Sequence, residues 1–217
     1  MENIDPHEKL LEMPVPVIMV IGQGQNCNKL DIQVALRNKF LSQGYKVAQA
    51  GSSKSADFDQ VPLYEANPLW QKTLLYNKHF RKIAVEEKPD ILIVGVPGGI
   101  MPLDSRHHEY FGETALAISK ALQPDISILS LYYTTDYTDS IADVTNYVNY
   151  ALEAPLDYLH ISNNMIIFEP DMRNISFLET ENTRTYDGNT FNVFDESSTN
   201  GVFDSIIGQL QDNIEML

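Results

Sequence analysis

"VIGQGQNCNKLDIQVALRNKF", residues 20–40, decides the fold. Its first residues close an apolar, β-branched run, "VPVIMVIG" at 15–22, the composition of a strand buried on both faces. From Lys29 the period changes. Ile32, Leu36 and Phe40 recur every four residues, one stripe of a helix, and Gly44 supplies the stop. Between strand and helix lies a turn with two glycines and a lysine at the helix start. Gly22 and Gly24 permit backbone conformations in which successive N–H groups face inward. The helix start adds partial positive charge and Lys29 adds a full one. This is the chemistry of a phosphate cradle, with Gly22, Gly24, Asn26, Cys27, Asn28 and Lys29 as the candidate contacts. Two positions depart from the usual pattern of a glycine, four residues, then Gly-Lys-Ser/Thr. Asn28 stands where the glycine before the lysine belongs, and Leu30 where a hydroxyl would ligate Mg²⁺. The same stretch also reads as a tight strand-to-helix turn with no ligand.

Working outward, strand and helix patterns alternate through the first 160 residues. "YKVAQAG" (45–51), "DILIVGVPGG" (90–99) and "DISILSLYY" (125–133) read as strands, and "DYLHISNNMIIFE" contains at least one more. Asn67 and Pro68 predict the N-cap and first turn of a long helix ending before Pro89, with Leu69, Trp70, Leu74, Ile83 and Ala84 buried. Further helices are predicted around Phe111–Leu122, from Ser140, and over about Gly201–Met216, with Phe203, Ile206, Ile207, Leu210 and Ile214 on one face. Residues 170–200 are polar with short strand-like pieces. The alternation predicts a three-layer α/β fold, a mostly parallel sheet with helices on both faces. Ligands of such sheets sit at the carboxyl ends of the strands. Residues 1–13 read as a flexible arm with one helical turn at "PHEKLLEM", and 14–217 as a single domain.

A net charge of −15 opposes the phosphate backbone of nucleic acid and anionic membranes alike, and it is compatible with a basic protein or peptide. Neither a span nor a signal segment is apparent, and the single Cys27 leaves no internal disulfide, so the cytoplasm is the expected compartment.

The second loop, "VGVPGGIMPLDS" (94–105), follows the strand expected beside the first. Pro97, Gly98 and Gly99 let its backbone approach a ligand or the first loop, and no Asp or Glu ends the strand. The strand, "PGG" (97–99) and "PL" (102–103) resemble the corresponding segment of dethiobiotin synthetases, which implies a degenerate phosphate-loop architecture and a homodimer. The acidic residue of their pattern corresponds to Val94 or Gly95. A closer resemblance rests on residues 22–52 and 89–104 and spans roughly 14–135. There the chain resembles the peptide maturation system proteins of bacterial cassettes that also encode radical enzymes and short precursor peptides. That resemblance implies a pathway, with a peptide-modifying enzyme or precursor peptide as partner, and not a reaction. It also implies a longer N-terminal region than precedes the first strand here, missing or carried on another polypeptide.

Other residues have chemistry of their own. In "LDSRHHEYFGE" (103–113), Asp104, Arg106, His107, His108 and Glu109 leave a strand end, but their spacing matches no metal motif, and no metal site is predicted. They read as helix-capping residues or as contacts to a ligand or dimer partner. Cys27 beside a helix start and a lysine reads either as a small tolerated residue or as a lowered-pKa thiol with His107 or His108 as base. In "YYTTDYTDS" (132–140), Tyr132, Tyr133 and Tyr137 offer interface area, Asp136 is a candidate ligand contact, and Ser140 reads as an N-cap. His79 and His160 read as core or surface.

Three functions follow. The first is an accessory protein in maturation of a ribosomally made peptide, without independent catalysis, whose degenerate loop binds ATP, another nucleotide or phosphate. The second is a Mg-ATP-dependent ligase or kinase of the dethiobiotin synthetase type. The third is a binding module for another anionic metabolite.

Overall fold

A computed structural model describes residues 5–52, 58–134, 138–152, 154–169, 174–186 and 188–215. The first half runs β1 (Val17–Gly22), α1 (Lys29–Ser42), β2 (Val47–Gly51), β3 (Asp59–Gln60), α2 (Leu69–Glu87), β4 (Ile91–Gly95) and a 3-10 turn (Glu109–Gly112). Then come α3 (Glu113–Leu122), β5 (Ile126–Leu131), α4 (Thr138–Ala151), β6 (Tyr158–Ile161), β7 (Asn164–Phe168), β8 (Ile175–Glu179), β9 (Thr190–Phe191) and α5 (Glu196–Glu215). Seven strands form one sheet in the order β3-β2-β4-β1-β5-β6-β9, every pair parallel, and β7 and β8 form a separate antiparallel hairpin. β1 lies between β4 and β5 and is buried on both faces, as its apolar run predicts.

The alternation of side chains along β1 divides the core. Val17, Met19 and Ile21 pack with Tyr76, Phe80 and Ile83 of α2 and Ile118 and Leu122 of α3. Ile18 and Val20 pack on the other face with Ile32, Leu36 and Phe40 of α1 and Phe203, Ile206 and Leu210 of α5. Both faces are covered, so the strands carry apolar residues at consecutive positions rather than alternate ones.

Several local expectations shift. α2 starts one residue late, with Pro68 as its extended N-cap residue, while the Asn67 amide bonds Gln71 Oε1 at 2.9 Å. Leu69 and Trp70 are 38% and 45% exposed, because the stripe that packs is Lys72, Tyr76, Phe80 and Ile83. Lys72 is admitted to that stripe by a 3.0 Å ion pair with Glu113. α4 starts at Thr138, so Ser140 lies inside it, and Asp136 and Tyr137 fall outside the described residues. α5 begins at Glu196, five residues before the expected start, because the Asp195 carboxylate accepts the N–H groups of Ser197 and Ser198. Phe203, Ile206, Ile207 and Leu210 are buried as expected, and the Ile214 side chain is not among those described. In the N-terminal arm, residues 5–13 turn at Pro6–His7 and form no helix. Leu11 exchanges two hydrogen bonds with the Asn77 side chain (2.9 and 2.8 Å), and Glu8 pairs with Lys78 at 2.9 Å.

His160, on β6, is wholly buried, its Nδ1 2.8 Å from Ser130 Oγ and its ring edge-on to Phe191. Ser130 donates its proton to the Cys27 carbonyl, so Nδ1–H donates to Ser130 and Nε2 is left as a buried acceptor without a partner. Burial lowers the imidazole from 6.5 to about 3. The unfolded chain therefore takes up a proton below pH 6.5 that the folded chain refuses until about pH 3. Stability present above pH 6.5 should fall as pH drops, by about 1.4 kcal/mol per unit. Denaturant melts between pH 6.5 and 5 check this: His160→Asn should flatten the slope there, and an unchanged slope would clear His160 of the effect.

Candidate anion site at the rim of the sheet

The carboxyl ends of β1, β4, β5 and β6 meet at the loop joining β1 to α1. Every carbonyl from Gly24 to Asn28 is paired. Gly24 O accepts from Lys29 Nζ at 3.0 Å and from Cys27 Sγ at 3.1 Å. Gln25 O accepts the Tyr132 hydroxyl, Asn26 O the Asn164 amide at 2.7 Å, and Cys27 O the Ser130 hydroxyl. Asn28 O takes the first helical bond, from Ile32 N at 3.2 Å. The donors are in the opposite state. Among the described residues, the backbone N–H groups of Gly24, Gln25, Asn26, Asn28, Lys29 and Leu30 donate to nothing. A loop whose acceptors are satisfied and whose donors are free is matched to an anion.

Asn28 is not a failed glycine. Its φ of 60° and ψ of 24° are the left-handed values a glycine would take, and asparagine tolerates them best among side-chain-bearing residues. Its amide also ties three elements together. Oδ1 accepts from the Ser162 hydroxyl and from Asn163 N at 3.1 Å, and Nδ2 donates to Asp31 at 2.9 Å in the first turn of α1. The spacing differs too: five residues separate Gly22 from Asn28, one more than in the usual pattern. Asn26, also left-handed with φ 52°, absorbs part of the longer loop.

The second loop closes on the first. Ile100 N donates to Gly22 O at 3.0 Å, and Lys29 Nζ also donates to Gly98 O. A Cβ on Gly99 would lie 2.5 Å from Gln23 O and 2.8 Å from Gly24 Cα, so only glycine fits there. Pro97 is buried beside it. At the end of β4, a Cβ on Gly95 would meet Gln33 Oε1 at 2.1 Å. Gln33 is itself held by a 3.0 Å bond to Ala50 O. The place of the expected acidic residue is therefore occupied by the Gln33 amide. Leu30 points outward, 57% exposed. Neither position supplies a ligand for Mg²⁺, and among the described residues no group of three or more His, Cys, Asp or Glu side chains is arranged to hold a metal.

The 103–113 loop is organised around Asp104, whose carboxylate accepts the N–H groups of Arg106 and His107 at 2.7 Å each and lies 3.0 Å from His107 Nδ1. The backbone and ring bonds of His107, then the backbone bond of Arg106, hold this partly buried carboxyl down at about 2. His108 stacks on Phe111 with 5.0 Å between centroids. These residues thus have partners within their own loop. Cys27 is fully buried, in keeping with its reading as a small tolerated residue, and the histidine linked to it, through Ser130, is His160 rather than His107 or His108. Tyr132 reads in the sequence as interface area, whereas the rest of the clamp, Ser130 on the Cys27 carbonyl, Asn164 on the Asn26 carbonyl and Ser162 and Asn163 on the Asn28 side chain, went unrecognised there. The polar run "HISNN" after an apolar strand was the one signal for half of it.

No protein-family model matches the chain, and no curated protein matches it in sequence. Similar solved structures include a DUF1611 family protein from Anabaena variabilis, 10% identical over 69% of this chain and 46% of that one, with a TM-score of 0.52. Others are a nucleotide-binding protein in complex with ADP from Archaeoglobus fulgidus (13% identity, 91% and 88% coverage, TM-score 0.48) and chloroplast FtsY from Physcomitrella patens (19%, 73% and 53%, 0.43). The chain spans about half the length of the first and third of these. The first likeness is one of fold. Among the described residues no helix is long and apolar enough to cross a membrane.

Because Cys27 Sγ is enclosed by the loop, its alkylation reports whether the loop is closed. Iodoacetamide should label the native protein more slowly than free cysteine, and ATP should slow it further. A native rate equal to that of free cysteine would show that the loop does not hold this closed form.

Proposed function

We propose that this chain binds a phosphate-bearing ligand, a nucleotide foremost, in the loop at residues 22–30, and that it does so without efficient hydrolysis. The observation that carries the reading is the pairing asymmetry: all five carbonyls from Gly24 to Asn28 are engaged while six N–H groups around Lys29 are free. Lys29 rests on the Gly24 and Gly98 carbonyls, partners that phosphate oxygens would replace with charge-assisted bonds. The ADP complex of the Archaeoglobus fulgidus protein is in keeping with a nucleotide. Inefficient hydrolysis follows from what the usual metal positions hold, an outward Leu30 and a Gly95 packed on Gln33.

Thermal melts in EDTA, with ATP, pyrophosphate, phosphate and sulfate, test this. Ligand at a hundredfold over Kd should stabilise by about 2.7 kcal/mol, a rise of roughly 5–10 °C for a domain of this size. Lys29→Ala should abolish the rise. No shift in the wild-type protein, or an equal shift in Lys29→Ala, would defeat the reading. Phosphate matching ATP would favour a smaller anionic metabolite.

The finer assignment, an accessory role in maturing a ribosomally made peptide, is supported by the resemblance of residues 22–52 and 89–104 alone, and a homodimer as the working unit by the dethiobiotin synthetase-like segment around residues 97–103. Sedimentation equilibrium should give twice the 24.5 kDa chain mass, and a single-chain mass would remove the dimer.

A further inference from the structure

Among the described residues near the loop, Glu109 is a titratable side chain with an oxygen that has no partner. Its Oε2 is closed off from solvent and has no hydrogen-bond partner, although the residue as a whole is partly exposed. A carboxylate oxygen removed from water without a partner is costly. The oxygen faces the site: a Cβ built on Gly98 would lie 3.5 Å from it. Gly98 is the residue whose carbonyl holds Lys29 Nζ. Tyr132, whose hydroxyl caps Gln25 O, has its pKa raised first by burial. The backbone carrying the carboxylate is held in an unfavourable form, with Glu109, Tyr110, Phe111 and Gly112 left-handed at φ 45°, 53°, 53° and 74°. Gly112 fixes that form, since a Cβ there would lie 2.1 Å from Ile100 O.

A lone carboxylate beside a phosphate would repel it. A divalent cation between them removes the repulsion and provides the missing partner. Magnesium suits a site with a single carboxylate, because it needs only one or two carboxylates besides the ligand's phosphates. We propose that Glu109 supplies the carboxylate that β4 lacks, holding a divalent cation against a phosphate seated on the 24–30 donors. This rests on the phosphate reading and assigns it a metal complex as the bound species.

Calorimetric titration with ATP, in EDTA and in Mg²⁺, tests the proposal on wild type and Glu109→Gln. Mg²⁺ should tighten wild-type binding about tenfold or more. In Glu109→Gln, binding in EDTA should equal or exceed that of wild type, because the like charge is gone, and the Mg²⁺ gain should shrink to less than about twofold. A full Mg²⁺ gain in Glu109→Gln overturns the role of Glu109 and leaves the phosphate reading standing. Absence of any Mg²⁺ gain in wild type does the same without recourse to a variant. Failure of wild type to bind ATP in either buffer overturns both.

Discussion

The pairing of the loop carbonyls with side chains from neighbouring strands is the constraint on which the rim of this molecule depends. A strand-to-helix turn left to itself would satisfy its carbonyls with water and fluctuate. Here Ser130 and Tyr132, from the end of β5, and Asn164, from the start of β7, take one carbonyl each, and Lys29 takes a fourth. A net hydrogen bond contributes only about 0.5–1.5 kcal/mol, so no single clamp decides the conformation. Together they orient four successive peptide units, and a peptide unit whose oxygen is fixed has its N–H fixed as well. The donors are thereby arranged before any ligand arrives, which lowers the ordering cost of binding.

The Asn28 amide shows how the same loop tolerates a side chain where glycine is usual. The left-handed backbone is offset by three side-chain hydrogen bonds that glycine could not make, linking the loop to both the end of β6 and the first turn of α1. A similar exchange occurs at β4. Gly95 has no side chain, and the vacated space admits the Gln33 amide, which bridges from α1 to Ala50 on β2 while Gln49 Nε2 returns a 2.7 Å bond to Gln33 O. A carboxylate at the end of β4 would therefore have to displace the Gln33 amide from the place it fills.

How much of this was legible in the sequence follows from the range of the interactions. The parallel sheet follows from the alternation of strand and helix, though beyond β4 lying beside β1 its strand order was not legible; β1 and α1 were legible because burial on two faces and a four-residue stripe are local patterns. Gly22, Gly24 and Lys29 were legible for the same reason. The role of Asn28 was not, since its partners Ser162 and Asn163 lie 134 and 135 residues away. Leu69 and Trp70 misled because apolar character in a first turn does not say which way the helix faces; the buried Lys72–Glu113 pair does, and it joins two helices. Glu109 was recognised as a possible ligand type, but its direction depends on three consecutive non-glycine residues at positive φ, which no propensity anticipates.

The state of the site also bears on what it can do. Phosphoryl transfer is catalysed by positioning and by charge stabilisation that strengthens in the transition state. Fixed backbone donors and one lysine hold a ground-state phosphate much as they hold a transferring one, and uniform binding of that kind lowers Kd without lowering the barrier. The groups that would discriminate are a metal-bound hydroxyl at position 30 and a carboxylate at the end of β4, and these are the two positions where this chain carries Leu30 and Gly95. A carboxylate at Glu109 would change the charge of the bound species, yet it stands on the 3-10 turn beyond the second loop rather than in the line of β4. The groups at the rim accordingly suit holding a phosphate, should one be seated on the prearranged amides, better than turning it over.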